Sequence, residues 1–460
     1  NIFIYYKMSY PPQLSYFLER VSGFSTSTFK IFPQNATSAS PNQIIRFTLP
    51  NNSLLNLKSF AFRFQATTAG VGAIARLPND ISTLIERVEI TSSGVSLASG
   101  ANFYNVLKQA MTALKGDYCD PVLAHPAMVR SVSYVDGAAK AANETYTGTQ
   151  ALFAIDKWEG FLGSSGPGIL DSSLMGEIVI SLTLADNNVL SSSVGTTLPG
   201  TAAGTDFDVN GNGLSTYSLS NMYATIECMS LASSGYDEMV QGIINEVGFL
   251  EIPFKQYFSF QDSVSQQMRW SVASQSIDRL IAVHRDTEYN LVKAPRRVAG
   301  YKVYDATNTL GGIASFDAGG VLDTNKELYK TAFSNFVEPT AAAGTTLAFQ
   351  YQINGANLPN FQASTEDMCS ITRNAVGIHH AQDKMGLDTM RKHYSVNAIR
   401  LNLPDSEATR TISGLNSQST NLSGFYNIFN VGATIPVVNL FVECTSTLRV
   451  GNAGQLEVLN

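Results

Sequence analysis

The sequence predicts an all-β protein made of two tandem antiparallel eight-stranded jelly-roll sandwiches, each with a short inserted helix and long loops. Three observations lead there. First, Arg46-Phe47-Thr48-Leu49-x-x-x-Ser53-Leu54-x-x-Leu57 returns as Arg269-Trp270-Ser271-Val272-x-x-x-Ser276-Ile277-x-x-Leu280, an offset of 223, with Gln43 and Gln266 in matching places ahead of them. Near the end of each half, Ala224-Thr225-Ile226-Glu227-Cys228-Met229-Ser230 is echoed by Leu440-Phe441-Val442-Glu443-Cys444-Thr445-Ser446, an offset of 216. Two echoes in one order at nearly one offset describe a β-fold built twice. Second, hydrophobic residues alternate with polar ones at a period of two in both halves, the pattern of half-buried strands. Third, 460 residues exceed what one hydrophobic core normally supports, and very long polar loops suit a sandwich better than a closed barrel.

Taken in order, the chain opens with residues 1–42, an N-terminal arm with Pro11-Pro12, Pro33 and Pro41 and few charges. Residues 1–7 use only amino acids that A- and T-rich codons encode, so Met8 is the expected natural start. The first sandwich is assigned to 43–235. Ile45, Phe47 and Leu49 define one strand, Phe60, Phe62 and Phe64 a second, and Ile178, Ile180, Leu182 and Leu184 a third. Between them, Phe103, Leu107, Ala110 and Leu114 share a helical face, with Asn102 as N-cap and Gly116 as stop. A loop from Asn187 to Thr216 carries Ser191-Ser192-Ser193 and five glycines, a length that usually signals function or disorder.

The second sandwich is assigned to 236–460, after a boundary around Ser233-Ser234-Gly235. Ile399, Leu401 and Leu403 alternate with polar residues, as do Leu440, Val442 and Cys444 with Phe441 and Glu443. A helix is predicted after Ser364, where Asp367 completes a capping box and Met368, Ile371 and Ala375 share a face. Another glycine-rich loop surrounds Gly311-Gly312 and Gly319-Gly320.

Composition narrows the function. Hydrophobic residues make up 44% and charged residues only 15%, below the usual quarter or so, so much of the surface is uncharged or covered by other subunits. A net charge of −7 and a pI near 5.3 argue against coating nucleic acid through a basic face. Cys119, Cys228, Cys369 and Cys444 lie too far apart for a C-x-x-C motif and read as buried or free thiols of a reducing compartment. No apolar run reaches the eighteen or so residues of a transmembrane helix, and no signal peptide is recognisable.

Motifs for chemistry are sparse. G-x-x-x-x-G-K-S/T, G-x-S-x-G and H-E-x-x-H are all missing from the sequence, so no catalytic residue and no cofactor are assigned. His379-His380 with Asp383 reads as polar surface, because adjacent histidines diverge in strand and helix alike. The one metal candidate is Asp206-x-Asp208-x-Asn210-Gly211, the first half of a calcium loop, but its twelfth position is Tyr217 where a bidentate Glu belongs. The N-x-S/T sequons at Asn35, Asn143 and Asn421 are short enough to arise by chance.

Residues 43–116 carry a family resemblance. Ile44 to Leu57, then Arg76-Leu77-Pro78, Leu84-Ile85-Glu86-Arg87-Val88-Glu89-Ile90 and Gly100-Ala101-Asn102-Phe103-Tyr104-Asn105-Val106-Leu107 follow one another in an order that resembles the first jelly roll of Polinton-like virus major capsid proteins, relatives of the virophage and large-DNA-virus capsid proteins. Asn357-Leu358-Pro359-Asn360-Phe361-Gln362 before a helix is similar in the second half, while Ala101 departs from the Cys expected there. The resemblance implies a double jelly-roll major capsid protein that forms homotrimers, pseudo-hexameric capsomers whose threefold contacts close into a ring. These would tile an icosahedral virion around double-stranded DNA, touching neighbouring capsomers, penton and minor capsid proteins, without sequence-specific nucleic-acid binding. The long loops would form outer towers and the N-terminal arm would tie capsomers together. The alternative is a glycan-binding or glycan-processing tandem jelly roll, which would need exposed aromatics and paired acids, yet only Trp158 and Trp270 are available.

Overall fold

A computed structural model describes residues 24–69, 73–78, 80–98, 101–115, 153–166, 168–194, 215–231, 234–264, 266–292, 296–297, 329–376, 387–403, 412–418, 422–451 and 454–460. In the first half the strands run β1 (Phe24–Ile31), β2 (Ser38–Ala39), β3 (Ile44–Thr48), β4 (Leu54–Ala69), β5 (Ala73–Arg76), β6 (Ile85–Ser92), β7 (Val95–Ala98), β8 (Phe153–Ile155), β9 (Ile169–Asp171), β10 (Ile178–Leu184), β11 (Ser191–Val194) and β12 (Thr216–Leu231), with helix α1 (Tyr104–Lys115) between β7 and β8. Helix α2 (Ser234–Val247) leads into β13 (Phe249–Ser263), β14 (Gln267–Trp270), β15 (Ile277–His284), β16 (Arg296–Arg297), β17 (Tyr329–Lys330), β18 (Ala348–Ile353) and β19 (Ala356–Ala363). Helices α3 (Thr365–Val376) and α4 (Leu387–His393) precede β20 (Val396–Arg400), β21 (Gly424–Phe429), β22 (Val437–Gly451) and β23 (Leu456–Leu459).

Two main sheets in each half are ordered β1-β12-β4-β8 with β3-β10-β6-β7, and β13-β22-β15-β20 with β14-β21-β18-β19. Lettering the eight main strands of each half B to I in chain order turns both pairs into B-I-D-G and C-H-E-F, the jelly-roll order. Each half therefore winds the same way. Because every neighbouring pair is antiparallel, the B–C, D–E, F–G and H–I connections leave one end of a sandwich and the other three leave the opposite end. The long polar loops predicted around 187–216 and 311–320 are, by their place in the chain, H–I and D–E connections; residues 195–214 and 298–328 lie outside the described residues.

The sequence echoes fall on equivalent strands. Phe47 and Trp270 point inward from the two C strands, Leu57 and Leu280 from the two D strands, and all four are buried. Gln43 O accepts from Leu184 N, and Gln266 O accepts from Ile428 N, each bond joining the start of C to H. The E–F hairpins also match: Ser93-Gly94 and Asn354-Gly355 both take two consecutive positive φ angles, 46° and 84° against 49° and 85°. That is the two-residue turn whose twist suits antiparallel strands, and glycine occupies its second place without strain.

The predicted core alternation holds in the first half, where Ile45, Phe60, Phe62, Phe64, Ile180 and Leu182 are fully enclosed. Capping is as expected at α3: Ser364 Oγ accepts from Asp367 N at 3.2 Å while Asp367 Oδ2 accepts from Ser364 N at 3.2 Å. Four expectations change. Helix α1 starts one residue late for an Asn102 cap; Phe103, at φ 61°, takes the cap position, and its carbonyl accepts from Val106 and Leu107. The strand expected through Leu403 stops at Arg400, leaving Leu403 exposed. Residues 24–31, placed in an arm, form β1 and pair with β12 over eight positions; residues 1–23 lie outside the described residues. In β22 the residues between Leu440, Val442 and Cys444 are not solvated: Phe441 and Glu443 are buried too.

The last difference reveals the architecture. Leu440, Val442 and Cys444 join Trp270, Tyr351 and Tyr426 in the second sandwich's interior, while Phe441, Ile281, Val283, Val396 and Ala398 on the other face of the same sheet belong to an apolar cluster continuous with the first sandwich. This B-I-D-G sheet is thus covered on both sides. Its outer cover consists of Phe333, Phe336 and the end of α3 at one end and first-half residues at the other.

Candidate functional site: the seam between the two sandwiches

The first half reaches the second through the connection between β8 and β10. Phe161 meets Phe254 of β13 edge-on, with ring centroids 5.0 Å apart at 77°, and both side chains are 1% exposed. Beside them the connection caps the free edge of β13, a B strand. Lys255 N donates to Ser164 Oγ at 2.8 Å, and Gly166 N donates to Pro253 O at 2.9 Å. An edge strand whose outer amides find partners no longer offers a template for stray pairing. Helix α1 braces the connection, since Glu159 N donates to Tyr104 Oη at 2.8 Å and Lys108 pairs with Glu159 at 3.3 Å. Trp158 Nε1 donates to Phe60 O at 2.9 Å.

Below these contacts lies a cleft of about 870 Å³ whose floor is charged. Lys255 Nζ sits 2.7 Å from Asp278 and 3.6 Å from Glu443, and Arg279 Nε lies 3.7 Å from Glu443. Thr445 Oγ1 and Ser276 Oγ donate to the two oxygens of Asp278 at 2.5 and 2.7 Å. Asp278 and Glu443 are almost wholly buried, so Lys255 and Arg279 supply the compensation that such carboxylates require. Burial, then the nearby Glu443 charge, pushes the Tyr257 phenol well above its ordinary value and keeps it protonated. These charges sit mainly in mutual contacts. They tie β13, β15 and β22 of the second sandwich to one another across the face that the first sandwich covers.

A second polar group lies inside the second sandwich. His284 Nδ1 is 2.8 Å from Ser395 Oγ and Nε2 is 2.9 Å from Tyr426 Oη, and Asn397 Nδ2 donates to Tyr426 Oη at 2.8 Å. A serine beside a histidine suggests nucleophilic chemistry. Here, however, His284 has no exposed surface, and burial lowers its pKa to about 3, so the imidazole is a neutral structural link. The sequence shows no sign of this network, whose members span 142 positions.

The predicted metal candidate Asp206, Asp208 and Asn210 lies outside the described residues, as do His379, His380 and Asp383. Tyr217, its twelfth position, is described: it is buried in β12 and its hydroxyl donates to Ala185 O. Among the described residues no group of three or more His, Cys, Asp or Glu is placed to hold a metal. Cys228, Cys369 and Cys444 are free thiols, and burial pushes that of Cys444 up to about 12. Asn35 uses its amide locally, donating to Ile44 O and accepting from Arg46 N. Trp158 and Trp270 are both buried, so neither offers the stacking platform that the glycan alternative needs. No helix among the described residues is long and apolar enough to cross a membrane.

No family model and no curated protein matches the sequence. Solved structures do match. The chain superposes on the PBCV-1 virus capsid with a TM-score of 0.55 at 12% identity, covering 96% of this chain and 98% of that one. PBCV-1 VP54, fitted into a reconstruction of the virophage Sputnik, gives 0.54 at 11% over 96% and 98% of the two chains. The Faustovirus major capsid protein gives 0.53 at 11% over 95% and 92%. At such identities the likeness is one of fold, and it extends through both sandwiches and across the seam.

Proposed function

We propose that this chain is a major capsid protein that trimerises into pseudo-hexameric capsomers, which tile an icosahedral virion shell around double-stranded DNA. The observation that carries the reading is a pair of like-wound jelly rolls, fixed together by a buried seam, in a chain that shares its fold end to end with viral capsid proteins. Two sandwiches per chain give a trimer six similar corners, and a block of that shape packs in hexagonal arrays. The long D–E and H–I connections leave one end of the sandwiches, which suits towers on the outer surface. The protein acts as a building block and not as an enzyme: its seam charges are paired and its Ser–His contact is sealed.

Light scattering on the purified full chain, combined with negative-stain microscopy, tests the reading. Three copies of the 49.6 kDa chain give about 150 kDa and six-cornered particles with threefold symmetry. A monomer at micromolar concentration that never forms arrays or shells would refute it. Residues 8–23 are proposed to act as the tie between capsomers, and their deletion should leave trimers intact while weakening lattice formation.

A further inference from the structure

Within the chain the F strand of the first sandwich also meets the second sandwich. Val95 and Ala98 of β7 and the following Ala101 lie partly buried against the apolar cluster that also takes in Leu250, Leu456 and Val458. The last two belong to β23, which follows the second I strand, pairs with it and touches β7. Each half of the chain has an F strand and a segment after its I strand. The seam uses β7 and β23; β19 and α2 hold the corresponding places in the chain.

The two F strands correspond residue by residue. Their hairpin turns, Ser93-Gly94 and Asn354-Gly355, lie 261 residues apart, and so do the helix starts Tyr104 and Thr365. That offset carries Val95, Ala98 and Ala101 onto Ala356, Pro359 and Gln362. The first three are partly buried, whereas Ala356 and Gln362 are exposed and Phe361 beside them stands 49% exposed. Among the described residues β19 bonds only to β18, so its other edge is open. Pro359 has no N–H to offer, which suits an edge met by side chains and not by another strand. No residue from Ala356 to Ala363 is charged, as in the core of an interface.

The helix after the first I strand has an apolar side to match. Val240 and Ile244 of α2 are buried, while Ile243 and Val247, four positions apart and therefore neighbours on one side, are 38% and 57% exposed. The helix packs on β13, and Leu250 just beyond it enters the seam cluster, so this pair continues the surface on which the internal seam is built. The sheet that leads into α2 lacks an outer cover too: Tyr223, Thr225 and Glu227 are partly exposed, whereas their counterparts Asn439, Phe441 and Glu443 are buried.

We propose that β19 of one copy of this chain docks on α2 of a second copy, with Phe361 seated against Ile243 and Val247. The inference rests on the assembly reading above and specifies one of its contacts. Each chain presents one β19 and one α2, so the contact is heterologous, and in a trimer three internal seams alternate with three seams between copies to close a ring.

The test is the oligomeric state of wild type, Phe361→Lys and Val247→Lys, measured by sedimentation velocity with thermal unfolding in parallel. Both positions are exposed in the single chain, so either variant should keep its monomer stability and sediment as a 49.6 kDa species where wild type is a trimer. Combining Phe361→Lys with Val247→Glu sets opposite charges against each other and should recover trimers about tenfold better than Phe361→Lys alone. Trimeric single variants, loss of the trimer in only one of them, or a double variant without recovery overturn the contact and leave the assembly reading standing. A monomeric wild type overturns the assembly reading itself.

Discussion

Removing the Phe161 ring should uncouple the two sandwiches. The side chain is 1% exposed and packs edge-on against Phe254. Truncating a buried Phe to Ala costs about 3–5 kcal/mol through lost transfer energy and the cavity left behind. Here the lower end applies, about 3 kcal/mol, because the neighbouring residues Leu162, Gly163 and Ser164 line the open cleft and water can enter the vacated space. The backbone bonds from Lys255 and Gly166 persist, so the seam loosens but stays in register. The chain contains two tryptophans, Trp158 at the seam in the first half and Trp270 in the core of the second, which makes the assay direct. Guanidinium unfolding is followed by fluorescence in Trp158→Phe and Trp270→Phe backgrounds, at one protein concentration because any association between copies would add its own stabilisation. With Phe161 present, the two reporters should give coincident transitions; with Phe161→Ala they should separate, the seam reporter moving first. Coincident transitions together with a loss below about 1 kcal/mol would show that the seam does not couple the halves.

Three further outcomes follow from particular contacts. His284 stays neutral in the fold down to about pH 3 but titrates near 6.5 when unfolded, so protons favour the unfolded chain below pH 6.5; stability should fall by about 2 kcal/mol between pH 7 and 5, and His284→Gln should flatten that part of the curve in urea titrations. A methyl group at Gly424 would lie 2.3 Å from the Trp270 ring, so Gly424→Ala should lower the unfolding free energy by about 3 kcal/mol and shift Trp270 emission; an unchanged midpoint would contradict the packing. Ser364→Ala removes one side of the α3 capping box and should cost about 1 kcal/mol, with amide exchange accelerated at Asp367 above all.

What the sequence made legible, and what it hid, divides along physical lines. Strands with one buried and one solvated face announce themselves: Phe60, Phe62 and Phe64 alternate because their neighbours Arg63 and Gln65 reach solvent. The tandem echo was readable because Phe47 and Trp270 face equivalent interiors and Gln43 and Gln266 make equivalent backbone bonds. β1 was hidden, since Ser25 to Lys30 are all exposed in the single chain and no enclosed face imposes a period there. Burial of Phe441 and Glu443 was hidden for the opposite reason. An alternating reading assigns one face to water, and only the long-range cover from Phe333, Phe336 and the first sandwich removes it. The seam itself rests on a G–H connection without periodicity, so Phe161 could not be distinguished from any other loop aromatic.

Glu227 and Glu443 show why two copies of one fold carry unlike outer faces. Both lie on I strands beside the D strand, Glu227 2.8 Å from Asn56 and Glu443 3.7 Å from Arg279, positions that the ladders make equivalent. Around Glu443 the sheet bears Phe441, Ile281 and Val283, an apolar face that is affordable because its cover belongs to the same polypeptide and arrives with folding. Around Glu227 the equivalent positions are Thr225, Ala61 and Arg63, beside Lys30, whose ammonium lies 3.9 Å from the Tyr223 ring centre. On the assembly reading proposed above, a face covered only by another copy must stay soluble until that copy comes, and hydroxyls, small residues and snorkelling cations meet that need. Replacing Thr225 with Phe, the residue at its counterpart 441, therefore sharpens the argument: it should strengthen association between copies and also lower the solubility of the unassembled chain. A variant that becomes neither more associated nor less soluble would mean that this face has no partner.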